Sequence, residues 1–236
     1  MKRLRLISFV LISVLLFCLF LKNDEIRTSA AYTTAGRGMI SLTLQAMEKN
    51  SENPRVALTF DDGPSKKYTP LLLKGLKARN IHASFFLMGK NIEENKDIVK
   101  QMHDDGHLIG NHTYDHVLLN KIPAEKAREE IEKTNNIIFE ITGVYPSYIR
   151  PPFGAWRNNM ELSVTMFPVF WDVDTLDWKS RNVNSILDIV RNHVHDGSII
   201  LMHDEYGTSV EAALKIIDLL TEKGYDFVTV DQLLVL

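Results

Sequence analysis

Sulfur chemistry is almost absent from this chain: its 236 residues include one cysteine, Cys18, which lies in an apolar N-terminal run. The rest has no thiol, so neither a disulfide framework nor a cysteine-based zinc site can form there. Any metal has to be held by His, Asp or Glu. Missing disulfides do not argue for the cytoplasm, because a large domain can be exported without them. An excess of positive charge is lacking too. The formal net charge is -3, which excludes the broad basic surface that phosphate backbones require, and with it nucleic acid as a partner. Internal repeats and low-complexity tracts are absent downstream of the N-terminal segment. What remains, 45% hydrophobic and 24% charged residues, suits one full-sized folded domain plus a short appendage.

The appendage is at the N-terminus. Lys2, Arg3 and Arg5 precede an apolar run over residues 6–21, broken only by Ser8 and Ser13, and Lys22, Asn23, Asp24 and Glu25 end it. A basic start followed by an apolar core is an export signal with its basic end kept in the cytoplasm. The run sits near the lower limit of about 17 residues for a spanning helix. Residues 1–22 are therefore expected to be a signal peptide or membrane anchor, with an uncleaved anchor favoured. Thr28-Ser29-Ala30-Ala31 supplies the small residues of an alternative cleavage site. Either way the domain works outside the membrane. Residues 23–54 read as a polar linker with a short helix around residues 39–47, and residues 55–236 as the main folded domain.

From Arg55 onward, short apolar runs alternate with amphipathic segments. Strands are expected over residues 56–60, 83–88, 108–110, 148–149, 169–172, 198–202 and 227–228. Helices are expected over 68–79, 96–105, 124–141, 183–194 and 209–223, with ends marked by Asn80, Gly106, Gly143, Gly197 and Gly224. Such alternation implies an α/β fold with a parallel sheet and helices packed outside it. Polar groups gather at the carboxyl ends of many strands, which a barrel brings to one point and an open sheet spreads out. A distorted parallel (β/α) barrel of seven to eight strands is the expected fold.

The chemistry lies in five segments. Asp61-Asp62 ends a strand before a Gly-Pro turn. Neighbouring side chains of an extended segment point oppositely, so one carboxylate can bind metal while the other activates water. The same residues also make an ordinary turn. His112-Thr113-Tyr114-Asp115-His116 offers two imidazoles four residues apart, which face one side of a helical turn and can share an ion with Asp62. Arg150-Pro151-Pro152-Phe153-Gly154 places a permanent cation before a stiff turn, able to orient a carboxylate, while the turn can present an N–H to an oxyanion. Asp174-Thr175-Leu176-Asp177-Trp178 joins acids to a ring on which a sugar face can stack. Leu201-Met202-His203-Asp204 ends an apolar strand with an imidazole whose pKa a carboxylate such as Asp177 can raise. His82, His103, His107, His193 and His195 lack such company and read as surface or packing residues.

Together and in this order, the five segments resemble the polysaccharide deacetylases of carbohydrate esterase family 4, from about Arg55 to the end of the chain. Thr59-Phe60-Asp61-Asp62-Gly63-Pro64-Ser65 is the most specific of them. The resemblance implies Asp61 as general base and Asp62, His112 and His116 as metal ligands. It implies that Arg150 orients Asp61, that Asp177 tunes His203, and that His203 protonates the leaving amine. The Phe153 N–H would support the oxyanion, and Trp178 and Leu201 would wall the acetyl groove. Phe153 stands where the family often has Tyr, a change that bears on sugar fit more than on catalysis. The expected cofactor is a divalent metal, zinc first, with cobalt, nickel or manganese able to replace it. The expected substrate is cell-wall polysaccharide, namely N-acetylglucosamine of peptidoglycan, then chitin oligomers. The expected protein is a monomer at the bacterial cell surface, joined to the membrane by its N-terminal segment. The alternatives are an O-acetyl xylan esterase and a non-catalytic glycan-binding protein on the same fold.

Overall fold

The computed structural model describes residues 53–158 and 160–234. The expected anchor, and the linker up to Glu52, lie outside the described residues. Among the described residues no helix is long and apolar enough to cross a membrane.

Strand β1 (Arg55–Asp61) shows how the sequence builds the fold. Its alternate residues Val56, Leu58 and Phe60 pack into the large outer core, whereas Ala57 belongs to a separate small cluster with Phe86, Val169, Ile199 and Val230. A period of two thus gives β1 one face for the helix layer and one for the inside of a curled sheet. Strand β2 (Ser84–Leu87) pairs with β1, and β3 (Leu108–Asn111) with β2. Then follow β4 (Tyr148–Ile149), β5 (Phe167–Pro168), β6 (Val173–Asp174), β7 (Ser198–His203) and β8 (Asp226–Phe227). Every pairing is parallel, in the order β5-β4-β3-β2-β1-β7-β6, with β8 beside the start of β1. Helices α1 (Thr69–Ala78), α2 (Gly89–Glu93), α3 (Lys96–Asp104) and α4 (Ala124–Thr142) come from the first half. Helices α5 (Asp177–Ser180), α6 (Val183–His193), α7 (Gly207–Glu222) and α8 (Val230–Leu234) follow. The distorted parallel barrel expected from the sequence is the fold found.

Helix ends fall within about a residue or two of expectation, the usual scatter of such boundaries. Gly143 closes α4 with φ 73° and donates its N–H to the Phe139 carbonyl at 2.8 Å, a conformation that a side chain would strain.

The strand expected over residues 169–172 is not there. The segment leaves one edge of the sheet and joins the other, so it bends instead of running straight. Val169 N–H donates to Ile149 O at 2.8 Å on the β4 side, and Asp172 N–H to Ile199 O at 3.0 Å on the β7 side. The bend frees carbonyls that a strand would have paired, and a buried free carbonyl is costly. Arg150 supplies the donors, with Nε 3.4 Å from the Val169 carbonyl and Nη2 3.2 Å from that of Phe170.

Candidate active site

The parallel register sets Asp61 beside His203 across the β1–β7 pair, and Asp174 beside Leu201 across β6–β7. The carboxyl ends of the strands thereby meet at a cleft of about 500 Å³. Asp61, Asp62, His112, His116, Phe153, Trp178, Leu201 and His203 line it. Arg150 and Asp177 lie beneath it, fully buried.

Asp61 and Asp62 do not divide as a simple strand alternation requires. Asp62 leaves the strand with φ 72°, which turns its carboxylate toward the same side as that of Asp61. Asp62 Oδ1 lies 3.4 Å from His112 Nε2, and Asp61 Oδ2 lies 3.8 Å from the same atom. The partners still differ. Arg150 Nη1 donates to Asp61 Oδ1 at 2.8 Å and to Thr59 Oγ1 at 2.7 Å. Thr59 Oγ1 in turn donates to Ile200 O at 2.7 Å. The guanidinium also rests on the Phe86 ring, 4.3 Å from its centroid. The turn after Asp62 is held from both sides. Asn91 donates to the Asp62 carbonyl at 2.6 Å, and Met88 N–H to that of Gly63 at 3.1 Å. A β-carbon on Gly63 would stand 2.5 Å from Asp204 Oδ1, so only glycine fits there.

The two imidazoles are brought together without the helical turn their spacing suggested. Residues 112–116 form a loop in which Thr113 and His116 have positive φ. Its shape comes from outside partners: Asn111 Oδ1 accepts from Thr113 N–H, and Glu130 on α4 accepts from the N–H groups of Tyr114 and Asp115. The ring centroids of His112 and His116 end up 4.8 Å apart.

Donor atoms of Asp62, His112 and His116 all lie within 4.8 Å of one another. Their chemistry fits a cation. His112 Nδ1 is 2.6 Å from the Arg150 carbonyl, which can only accept, so the ring proton sits on Nδ1. Nε2 then turns a lone pair toward Asp62 Oδ1, itself buried with no hydrogen-bond partner. Two acceptors facing each other want a positive ion between them. Burial, then the neighbouring His112, holds the His116 imidazole below its ordinary pKa, which keeps the neutral, ligating form.

His203 forms a second unit. Its Nδ1 donates to Asp177 Oδ1 at 2.9 Å, and its backbone N–H donates to Asp177 Oδ2 at 2.9 Å. Burial disfavours the imidazolium, yet the Asp177 hydrogen bond and the charges of Asp177, Asp61 and Asp62 raise its pKa to about 9. The folded value exceeds the unfolded one of about 6.5. This group's contribution to stability is therefore complete below pH 6.5 and lost as pH rises through 9. Proton NMR of the metal-free protein should show the His203 ring titrating well above 7, and Asp177→Asn should bring that midpoint below 6.5. A wild-type midpoint near 6.5 would rule out Asp177 as the controlling partner.

The remaining histidines behave as the sequence implied: His82, His103, His193 and His195 are exposed, and His107 is buried against Phe85. Burial lowers the His107 pKa to about 4. Sequence reasoning missed other members of the cleft wall: Trp171, Arg181, Glu205 and Tyr206. Glu205 and Tyr206 directly follow His203-Asp204, and that adjacency was the signal available. Trp171 and Arg181 carried none.

Residues 48–167 match the sequence profile described as polysaccharide deacetylase. The chain belongs to the polysaccharide deacetylase family. Peptidoglycan-N-acetylglucosamine deacetylase PgdA of Listeria monocytogenes is 37% identical over 193 residues, covering 82% of this chain and 41% of that protein. Peptidoglycan-N-acetylglucosamine deacetylase of Bacillus cereus is 42% identical over 185 residues, covering 75% and 67%. The peptidoglycan-N-acetylmuramic acid deacetylase PdaC of Bacillus subtilis is 41% identical over 178 residues, covering 75% and 38%. A solved structure of PdaC superposes with a TM-score of 0.75 at 40% identity, covering 78% of this chain and 91% of that one. The chain thus spans about two fifths of the length of PgdA and PdaC. The family members named here act on two different sugars of one polymer, so family membership leaves the choice of sugar to the cleft itself.

Proposed function

We propose that this chain is a metal-dependent N-deacetylase of cell-wall polysaccharide, acting on N-acetylglucosamine residues of peptidoglycan first and on chitin oligomers second. The observation that carries the reading is the meeting of three units at one cleft: Asp61 on Arg150, Asp62 with His112 and His116, and His203 on Asp177. A bound divalent cation, zinc by first choice, would polarise the acetyl carbonyl and acidify a water. Asp61 removes the proton of the attacking water, and Arg150 fixes the carboxylate for that task. The Phe153 N–H would support the developing oxyanion, and the Phe153 ring packs edge-on against His116 with centroids 4.6 Å apart. His203 Nε2 donates its proton to the leaving nitrogen, after which Asp177 holds the ring ready for the next proton. Trp178 and Leu201 wall the groove that takes the acetyl group. We further propose a monomer outside the cell membrane, tethered through residues 1–22.

Acetate release tests this. The purified chain, loaded with zinc, cobalt, nickel or manganese, should release acetate from peptidoglycan and from chitin oligomers, and a chelator should stop it. Acetate from O-acetyl xylan alone would overturn the N-deacetylase assignment in favour of an esterase. Release from no polymer with any metal would leave a glycan-binding protein.

A further inference from the structure

The cleft carries a cation for which the hydrolysis has no use. Arg181 follows the short helix α5, which begins at Asp177 and carries Trp178, and it lines the same cleft as Asp61, Asp62 and His203. Its guanidinium lies over the Tyr206 ring, 4.1 Å from the centroid. Stacking occupies the faces of a guanidinium and leaves its N–H donors, which lie in the plane, free to bind. Among the described residues no ion pair or hydrogen bond of the Arg181 side chain takes up those donors; the ring contact with Tyr206 is its contact on the wall. Glu205 shares the wall without forming an ion pair with Arg181; burial, then the Asp62 charge, raises the Glu205 pKa, and the Arg181 charge acts the other way. The other acids of the cleft are engaged: Asp61 with Arg150, Asp62 in the metal set, and Asp174 with the Leu176 N–H at 2.9 Å.

The backbone under Arg181 adds a second observation. Its φ is 46°, the left-handed region that glycine or asparagine occupies at least cost, and Leu176 at the other end of α5 has φ 52°. The chain therefore keeps a long cationic side chain at a position suited to a small one, and Tyr206, on the loop that follows His203, gives it a fixed platform.

We propose that Arg181 recognises a carboxylate carried by the polymer next to the sugar being deacetylated. The proposal rests on the deacetylase reading and narrows it, from N-acetylated glycans in general to those bearing carboxylates. In peptidoglycan two sources share that chemistry: the lactyl group of a muramic acid residue that carries no stem peptide, and the free carboxylates of the stem peptide where one is attached. A planar fork on a rigid ring suits bidentate binding of either.

The test compares kcat/KM for acetate release by the zinc-loaded full chain on three substrates. They are chitotetraose, which is neutral; glycan strands stripped of stem peptides, which expose lactyl carboxylates; and strands with stem peptides intact. In Arg181→Met, the ratio of kcat/KM on a carboxylate-bearing substrate to that on chitotetraose should fall by about tenfold, the worth of one charge-assisted hydrogen bond at a partly exposed site. The loss should reside in KM, and Arg181→Lys should restore part of it. A larger fall on stripped strands assigns the carboxylate to the lactyl group, and a larger fall on intact strands assigns it to the peptide. A ratio unchanged by Arg181→Met overturns the proposal, as does an equal loss on all three substrates. Failure of the wild type to release acetate from any of them would instead defeat the deacetylase reading.

Discussion

Replacing Asp61 by Asn should reduce acetate release by about 10²–10⁴-fold, the range that a positioned general base contributes, while zinc binding persists. The amide keeps the volume of the carboxylate and one oxygen to accept from Arg150 Nη1, now 2.8 Å from Asp61 Oδ1. It cannot take a proton from water. The candidate metal set is Asp62, His112 and His116, so competition with a chromogenic chelator should give the variant an affinity close to that of the wild type. Wild-type turnover would remove Asp61 from the role of base. Loss of zinc along with activity would make it a ligand.

Arg150→Met should cost more in stability than any surface change, about 3–5 kcal/mol in urea unfolding of the metal-free protein, as expected when one partner of a buried ion pair is deleted. Three consequences combine. Asp61 is left buried without its counter-charge. The Val169 and Phe170 carbonyls lose their donors. The cation over Phe86 disappears from the barrel interior. Metal-free conditions matter because bound ligand would stabilise the native state by mass action and mask the difference. In an Asp61→Asn background the same substitution should cost less, since no carboxylate is then stranded. A loss below about 1 kcal/mol, the level of an exposed pair, would mean that the guanidinium does not hold the barrel closed.

Arg150 also marks the boundary of what the sequence made legible. Its pairing with Asp61 was expected from the family resemblance; the residues alone offered a cation before a stiff turn, able to orient a carboxylate. Its second task was not, because nothing local in residues 169–172 says that the segment bends between two sheet edges. That apolar run satisfies a strand pattern, and only the closure of the sheet breaks it. The histidine pair is a similar case. A spacing of four is right for a helix, yet Asn111 and Glu130 shape a loop that brings the rings together, and those contacts are fixed by tertiary structure. The β1 carboxylates, His203 and the barrel itself were readable because each depends on strand ends, which local apolar patterns mark well. Arg181 was not, since its meaning comes from Tyr206, distant in sequence.

The placing of β1 bears on the order in which a growing chain can become competent. The strand pairs with β2 early, but it also needs β7 along its whole length and β8 at its start, where Arg55 meets Asp226. The candidate metal ligands all fall between residues 62 and 116, on the first three strands and their loops. The proposed proton donor and its partner, His203 and Asp177, come from the later part of the chain. A nascent chain can therefore gather its ion-binding residues long before it has anything to protonate a leaving group. Contacts that distant in sequence form slowly, so hydrolytic competence should arrive in one late step, when β7 takes its place, with no half-active form along the way.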